Sequence, residues 1–179
     1  MSDLIVFTYN DENKAGEVLA SVASLKQENV QKALIHIEDA AVVVKNGDGK
    51  VKVQQTLESV VKGGRVASGG LWGLLIGFLF GGPLLGALLG MGFSALFGRK
   101  IDIGIDNEFI NGIGDDLAPG DSALFLLTNN TPVADIAAAL NEHGGTLYHT
   151  SFSKETATAF SEAMEHDAVK TAVLAQQAA

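Results

Sequence analysis

The sequence predicts an α+β chain in which one small sheet domain is interrupted by an apolar helical hairpin. Three observations predict it. Two stretches, 4–45 and 123–152, each read as strand, helix, strand. The 33 residues from Val66 to Gly98 carry no charged side chain. Within them a small residue recurs at every fourth position along two successive rows.

The first unit opens with Leu4–Tyr9, a β-rich run that Asn10-Asp11 ends. Either Asn10 or Asp11 suits the cap of the helix that follows, and Val18, Leu19, Val22 and Leu25 give that helix one apolar face. Residues 33–45 return to β character. Asn46-Gly47-Asp48-Gly49 is a hairpin signal, and Lys50–Gln54 alternates as a half-exposed returning strand does. The second unit repeats this grammar. Ala123–Thr128 reads as a strand, and Pro132 sits at a first helical position. Val133, Ile136, Ala137 and Leu140 form a helical stripe, Gly144-Gly145 closes it, and Thr146–Phe152 alternates as a strand. An Ala-rich helix is expected over 154–175. Neither unit buries enough on its own, so the two are expected to share one ferredoxin-like split βαβ sheet with helices on one face.

Between the units lies the insert. Gly69, Gly73, Gly77 and Gly81 form one row, and Gly82, Gly86, Gly90, Ser94 and Gly98 a second. Spacing of four puts each row on one helix face. Each helical glycine costs about 1 kcal/mol in water, and close backbone packing is the benefit that offsets it. Leu74, Leu75, Phe78 and Leu85 fill the other faces. The rows meet at Gly81-Gly82-Pro83, a helix–turn–helix signature. Roughly 15 Leu, Ile, Phe and Val residues, at about −0.3 to −0.6 kcal/mol each, favour lipid. Each arm spans about 23 Å at 1.5 Å per residue, against a hydrocarbon core of about 30 Å. The hairpin is therefore re-entrant, or residues near 58–65 lengthen its first arm. Lys62 and Arg65 precede it, and Arg99 and Lys100 follow. A hairpin puts these on one side, cytoplasmic by the positive-inside tendency. Arg65, Arg99 and Lys100 are the expected interfacial anchors. Trp72 is read either as a further anchor or as a packing residue. The resulting divisions are 1–57 and 102–153 for the two halves of the α/β domain, 58–101 for the hairpin and 154–179 for the C-terminal helix. The competing reading of the insert is a buried hairpin in a soluble oligomer.

With these stretches located, the chain resembles a bacterial family of predicted membrane proteins known as domain of unknown function 1269. Val42–Gln55, Gly69–Leu79, Asp102–Phe109 and Pro119–Leu127 carry the resemblance, which spans nearly the whole chain. It implies membrane association and supplies no reaction.

Composition narrows the function. Apolar residues make up 47% and charged ones 18%, less than the roughly 25% usual in soluble domains. A net charge of −9 argues against nucleic acid and against electrostatic docking on anionic lipid. Without cysteine there is no disulfide or thiol chemistry. His36, His143, His149 and His166 lack the spacing of a helical metal pair. Asp102, Asp106, Glu108, Asp115, Asp116 and Asp121 read as a solvated acidic face with capping roles, since their spacing fits no EF-hand loop. Gly112-Ile113-Gly114 lacks the ending of a phosphate loop. No catalytic residue, metal or cofactor is expected. The sequence favours a membrane-embedded protein that partners the lipid bilayer and further copies of itself. A pore or transport component and a membrane-tethered ligand-binding module are the alternatives. An insert without ionisable residues weighs against the pore.

Overall fold

The computed structural model describes residues 2–25, 37–63, 71–80, 105, 107–129 and 133–152. The described chain is α+β. It runs β1 (Ser2–Tyr9), α1 (Lys14–Leu25), β2 (Ile37–Lys45), β3 (Val51–Thr56), α2 (Leu57–Lys62), α3 (Leu71–Phe80), α4 (Asn107–Asp116), β4 (Ser122–Asn129), α5 (Val133–Leu140), a short 3-10 turn (Asn141–His143) and β5 (Thr146–Phe152).

The five strands form one sheet in the order β3-β2-β4-β1-β5, and the four pairings are antiparallel. The two strand–helix–strand units interleave. β4 lies between β1 and β2, and β1 lies between β4 and β5. Each half therefore completes the sheet of the other. The hairpin expected at 46–49 joins β2 to β3, with Gly49 at φ +77° and its N–H donating to the Asn46 carbonyl at 2.8 Å. Asp11 supplies the cap of α1: its Oδ1 accepts from the backbone N–H of Asn13 at 2.8 Å and of Lys14 at 3.1 Å.

Helices cover both faces, not one. On the first face Val18, Leu19 and Val22 of α1, Leu57 of α2 and Ile136 and Leu140 of α5 pack on Ile5, Phe7, Val42, Val44, Leu124 and Leu126. On the second face Trp72, Leu75, Ile76 and Leu79 of α3 and Phe109 and Ile113 of α4 pack on Leu4, Val6, Ala41, Val43, Ala123 and Phe125. Both sets follow from strand alternation, because successive side chains point to opposite faces. The expectation of a single covered face fails because β1, β2 and β4 are apolar on both sides, as a strand between two layers must be.

Two further expectations change. Residues 58–62 do not lengthen the first arm of the insert. They belong to α2, which Thr56 caps through a reciprocal pair with Ser59 and which Gly63 ends in the left-handed region at φ +67°. Moreover, α2 and α3 contribute to opposite faces of the sheet. The other change is that 107–116, read as part of an acidic surface, is a helix. Arm two of the hairpin, Arg65, Gly69, Gly81, Gly82, Gly86, Gly90, Ser94, Gly98, Arg99, Lys100 and the helix expected over 154–175 lie outside the described residues. Among the described residues no helix is long and apolar enough to cross a membrane.

Candidate functional site

The candidate site is the described part of the apolar insert and the sheet surface it occupies. Helix α3 has the sequence LWGLLIGFLF. Trp72, Leu75, Ile76 and Leu79 follow the i, i+3, i+4, i+7 spacing of one stripe, and all four are buried in the second-face core. Fully burying a side chain of this kind contributes about 1.5–3 kcal/mol, which exceeds the helical cost of Gly73 and Gly77 at about 1 kcal/mol each. Gly73 and Gly77 are themselves buried.

Trp72 is buried in the second-face core. Its side chain is 5% exposed. The ring meets Phe125 edge-on, with centroids 6.3 Å apart and planes at 68°. Its Nε1–H donates to Asp39 Oδ2 at 2.8 Å. Asp39 reaches this position through an irregularity in β2, where the register with β4 shifts between Ile37 and Asp39. The second carboxylate oxygen accepts from the Ala40 backbone N–H at 2.8 Å. A charge-assisted bond thus fixes the start of α3 over the sheet. Asp39 was not singled out by sequence, since nothing local links it to a tryptophan 33 positions away.

Next to α3, helix α4 closes the same face. Its apolar residues Phe109 and Ile113, with Leu117 just past its end, recur every four positions, a signal hidden by the acids and glycines around them. Gly112 has a packing role: a Cβ there would stand 2.7 Å from Tyr148 Cε1. The acids of this region act as hydrogen-bond acceptors. Asp121 Oδ2 accepts from the Ala118 N–H at 2.9 Å and from Asn10 Nδ2 at 3.3 Å. Asp116 accepts from the Thr8 hydroxyl. It also helps hold the Tyr148 phenol above its ordinary pKa, after desolvation, by its charge and a hydrogen bond. Lys45 Nζ donates to the Leu117 carbonyl at 2.7 Å, just past the C-terminal end of α4.

A third polar group lies on the β1–β5 pair. The Ser151 hydroxyl donates to Asp3 Oδ1, and His149 Nε2 stands 3.1 Å from the same oxygen. Ser151 Oγ also lies 3.5 Å from His149 Nε2, so the three side chains form one polar cluster. His143 lies beside Glu142, and His36 and His166 are outside the described residues. Among the described residues no three His, Asp or Glu side chains converge on a common point.

No curated protein and no solved structure matches the chain. A family model described as "Protein of unknown function (DUF1269)" matches residues 66–165. The match starts at the apolar insert and runs through α3, α4, β4, α5 and β5, leaving the Val42–Gln55 stretch outside it. Because it covers more than half of the 179 residues, the chain belongs to the DUF1269 family.

Proposed function

We propose that the chain is a non-catalytic, self-associating structural protein embedded in a membrane. Residues 66–98 are its lipid-contacting insert. The interleaved sheet, read as the ferredoxin-like order with β3 added at one edge, is the domain outside the bilayer. One observation supports the reading: 33 consecutive residues lack charge, and the described helix within them carries no charged side chain on any face. A helix apolar on all sides needs a second apolar neighbour, and lipid or the glycine-lined surface of another copy supplies it. The basic flanks Lys62, Arg65, Arg99 and Lys100 favour the cytoplasmic side of a bacterial inner membrane for the domain. Many short hairpins entering from one side would organise or curve a bilayer, and saturating protein is expected to deform liposomes.

Cell fractionation followed by carbonate and then detergent extraction tests this. The protein should stay in the carbonate pellet and leave detergent as a particle larger than one chain. Release by carbonate alone overturns the proposal. The seating of Trp72, Leu75, Ile76 and Leu79 on the sheet favours one second reading, in which the insert is a protein-covered layer of a water-soluble oligomer. Release by carbonate with the oligomer intact is the outcome it requires.

A further inference from the structure

The geometry points to a binding site for a divalent metal cation, built on the first face from Asp3, His149, Ser151 and Thr128. This goes beyond the membrane reading and does not depend on it. The strand register brings the four residues together. Asp3 of β1 stands opposite Thr128 of β4 on one side and Ser151 of β5 on the other. Directly opposed residues of an antiparallel pair put their side chains on the same face. His149 is two residues before Ser151 and shares that face. Three donor atoms already surround one point. Ser151 Oγ donates to Asp3 Oδ1 at 2.5 Å, and His149 Nε2 lies 3.1 Å from that oxygen and 3.5 Å from Ser151 Oγ. Ligand atoms held at about 2.0–2.2 Å from a zinc ion stand roughly 3–3.5 Å from one another. The two separations from the imidazole already match, and a small rotation of the Ser151 side chain opens the third. Carboxylate and hydroxyl oxygens with one imidazole nitrogen suit the first-row divalent metals, Zn²⁺ and Mn²⁺ among them.

Two further observations select a cation as the occupant. Thr128 is fully buried, and its hydroxyl has no hydrogen-bond partner among the described residues, although the cluster lies beside it in register. Buried polar groups are paired, with an ion or its bound water where protein supplies nothing. Charge is the second. The Asp3 side chain is 16% exposed, and a carboxylate so placed is paired or coordinates a metal. Yet β1, β4 and β5 contain no Lys or Arg. Among the described residues the ion-pair partner of Asp3 is His149, charged only when protonated. Exposure falls from 36% at His149 through 16% at Asp3 to 0% at Thr128. A cation, drawn by a chain of net charge −9, therefore enters past the imidazole and meets the buried hydroxyl last.

Calorimetric titration of the metal-stripped full-length protein in detergent, with Zn²⁺ and separately with Mn²⁺, tests the site. Imidazole resonances followed during the Zn²⁺ titration identify the histidine that binds. The wild type should take up one ion per chain and move the His149 signals first. His149→Ala and Asp3→Asn each remove a ligand, so each should weaken binding by at least the roughly 10–100-fold that loss of an outer-shell partner costs. Thr128→Val keeps nearly the same shape without the hydroxyl and should weaken binding roughly tenfold. His143→Ala, which touches the other histidine–carboxylate pair among the described residues, should change nothing. A wild type that binds neither ion overturns the site, and so does binding unaltered by His149→Ala. Binding lost in His149→Ala but unaltered in Thr128→Val overturns it too, since a surface histidine–carboxylate pair would behave that way. Circular dichroism reports the fold of each variant. Thr128→Val removes an unpaired buried hydroxyl and should stay folded, so it decides the question even where Asp3→Asn does not fold.

Discussion

The two faces of the sheet share strands and differ in the chemistry of their cover. On the first face, α1 buries Ala15, Val18, Leu19 and Val22 and turns Glu17 to water. On the second face, α3 gives the sheet Trp72, Leu75, Ile76 and Leu79, yet its ten residues include no charged side chain to turn away from it. The stripe of Trp72, Leu75, Ile76 and Leu79, with Phe80 beside it, packs on the sheet. The first helix is amphipathic, and the second is apolar around its whole circumference.

The contrast breaks hardest at Phe125 and Leu124, adjacent in β4, fully buried and on opposite faces. Phe125→Ala should cost about 3–5 kcal/mol and Leu124→Ala about 2–5 kcal/mol, measured by denaturant unfolding. Their spectra should differ more than their stabilities. Trp72 is the sole tryptophan and packs on Phe125. Only Phe125→Ala should shift the folded protein's emission to longer wavelength. A matching shift in Leu124→Ala would show that the two layers are not separable.

Trp72→Phe comes next. It keeps most of the buried area and removes the donor to Asp39. A hydrogen bond to a charged group is worth about 1.5–3 kcal/mol, so a loss of that size is expected by circular dichroism. Paired with Asp39→Ala, which removes the acceptor, the double variant should lose less than the sum of the singles, because both remove one contact. Additive losses would mean that the bond does not hold α3.

What could be read in advance follows this same division. The strands, α1, α5 and the 46–49 hairpin were legible because their periods and turn residues are local signals. The second layer was not. The Gly112 and Gly114 positions and the acids of Asn107–Asp116 disguise a helix whose evidence is the spacing of Phe109, Ile113 and Leu117. The Trp72–Asp39 bond depends on a register shift in β2 that no propensity records. The lack of charge in 66–98 marked the insert as apolar, and Trp72, Leu75, Ile76 and Leu79 of α3 pack on the sheet. Gly73 and Gly77 lie buried in α3, while the other seven small residues of the two rows fall outside the described residues.

Helix α4 offers a finer test of how tightly the second layer is fitted. Gly112→Ala would put a methyl against Tyr148 at 2.7 Å, and overpacking of this kind costs about 1–3 kcal/mol. Gly114, in the same helix, has no neighbour within 4 Å of a Cβ. Gly114→Ala should raise stability by about 0.5–1 kcal/mol by limiting the unfolded chain. Thermal melts of the two variants moving in the same direction would refute this account of α4.

The smallest effect at neutral pH belongs to Tyr9, on the first face. The ring is buried, and its hydroxyl has no hydrogen-bond partner among the described residues. Desolvation pushes its pKa from 10.0 up to about 12. The folded state therefore holds the phenolic proton at a pH where the unfolded chain has released it. Stability is unaffected below pH 10 and falls as pH rises from 10 toward 12, by at most about 2 kcal/mol, because the unfolded state then binds fewer protons. Tyr9→Phe removes both the titration and the unpaired hydroxyl. It should leave neutral-pH stability unchanged or raise it by about 1 kcal/mol. It should also flatten the part of the alkaline decline that Tyr9 causes, while Tyr148, whose phenol is also raised, continues to titrate. Unfolding free energies at pH 8 and pH 11 for both proteins decide it: an equal alkaline loss in Tyr9→Phe would mean that the first face does not hold the phenol away from water.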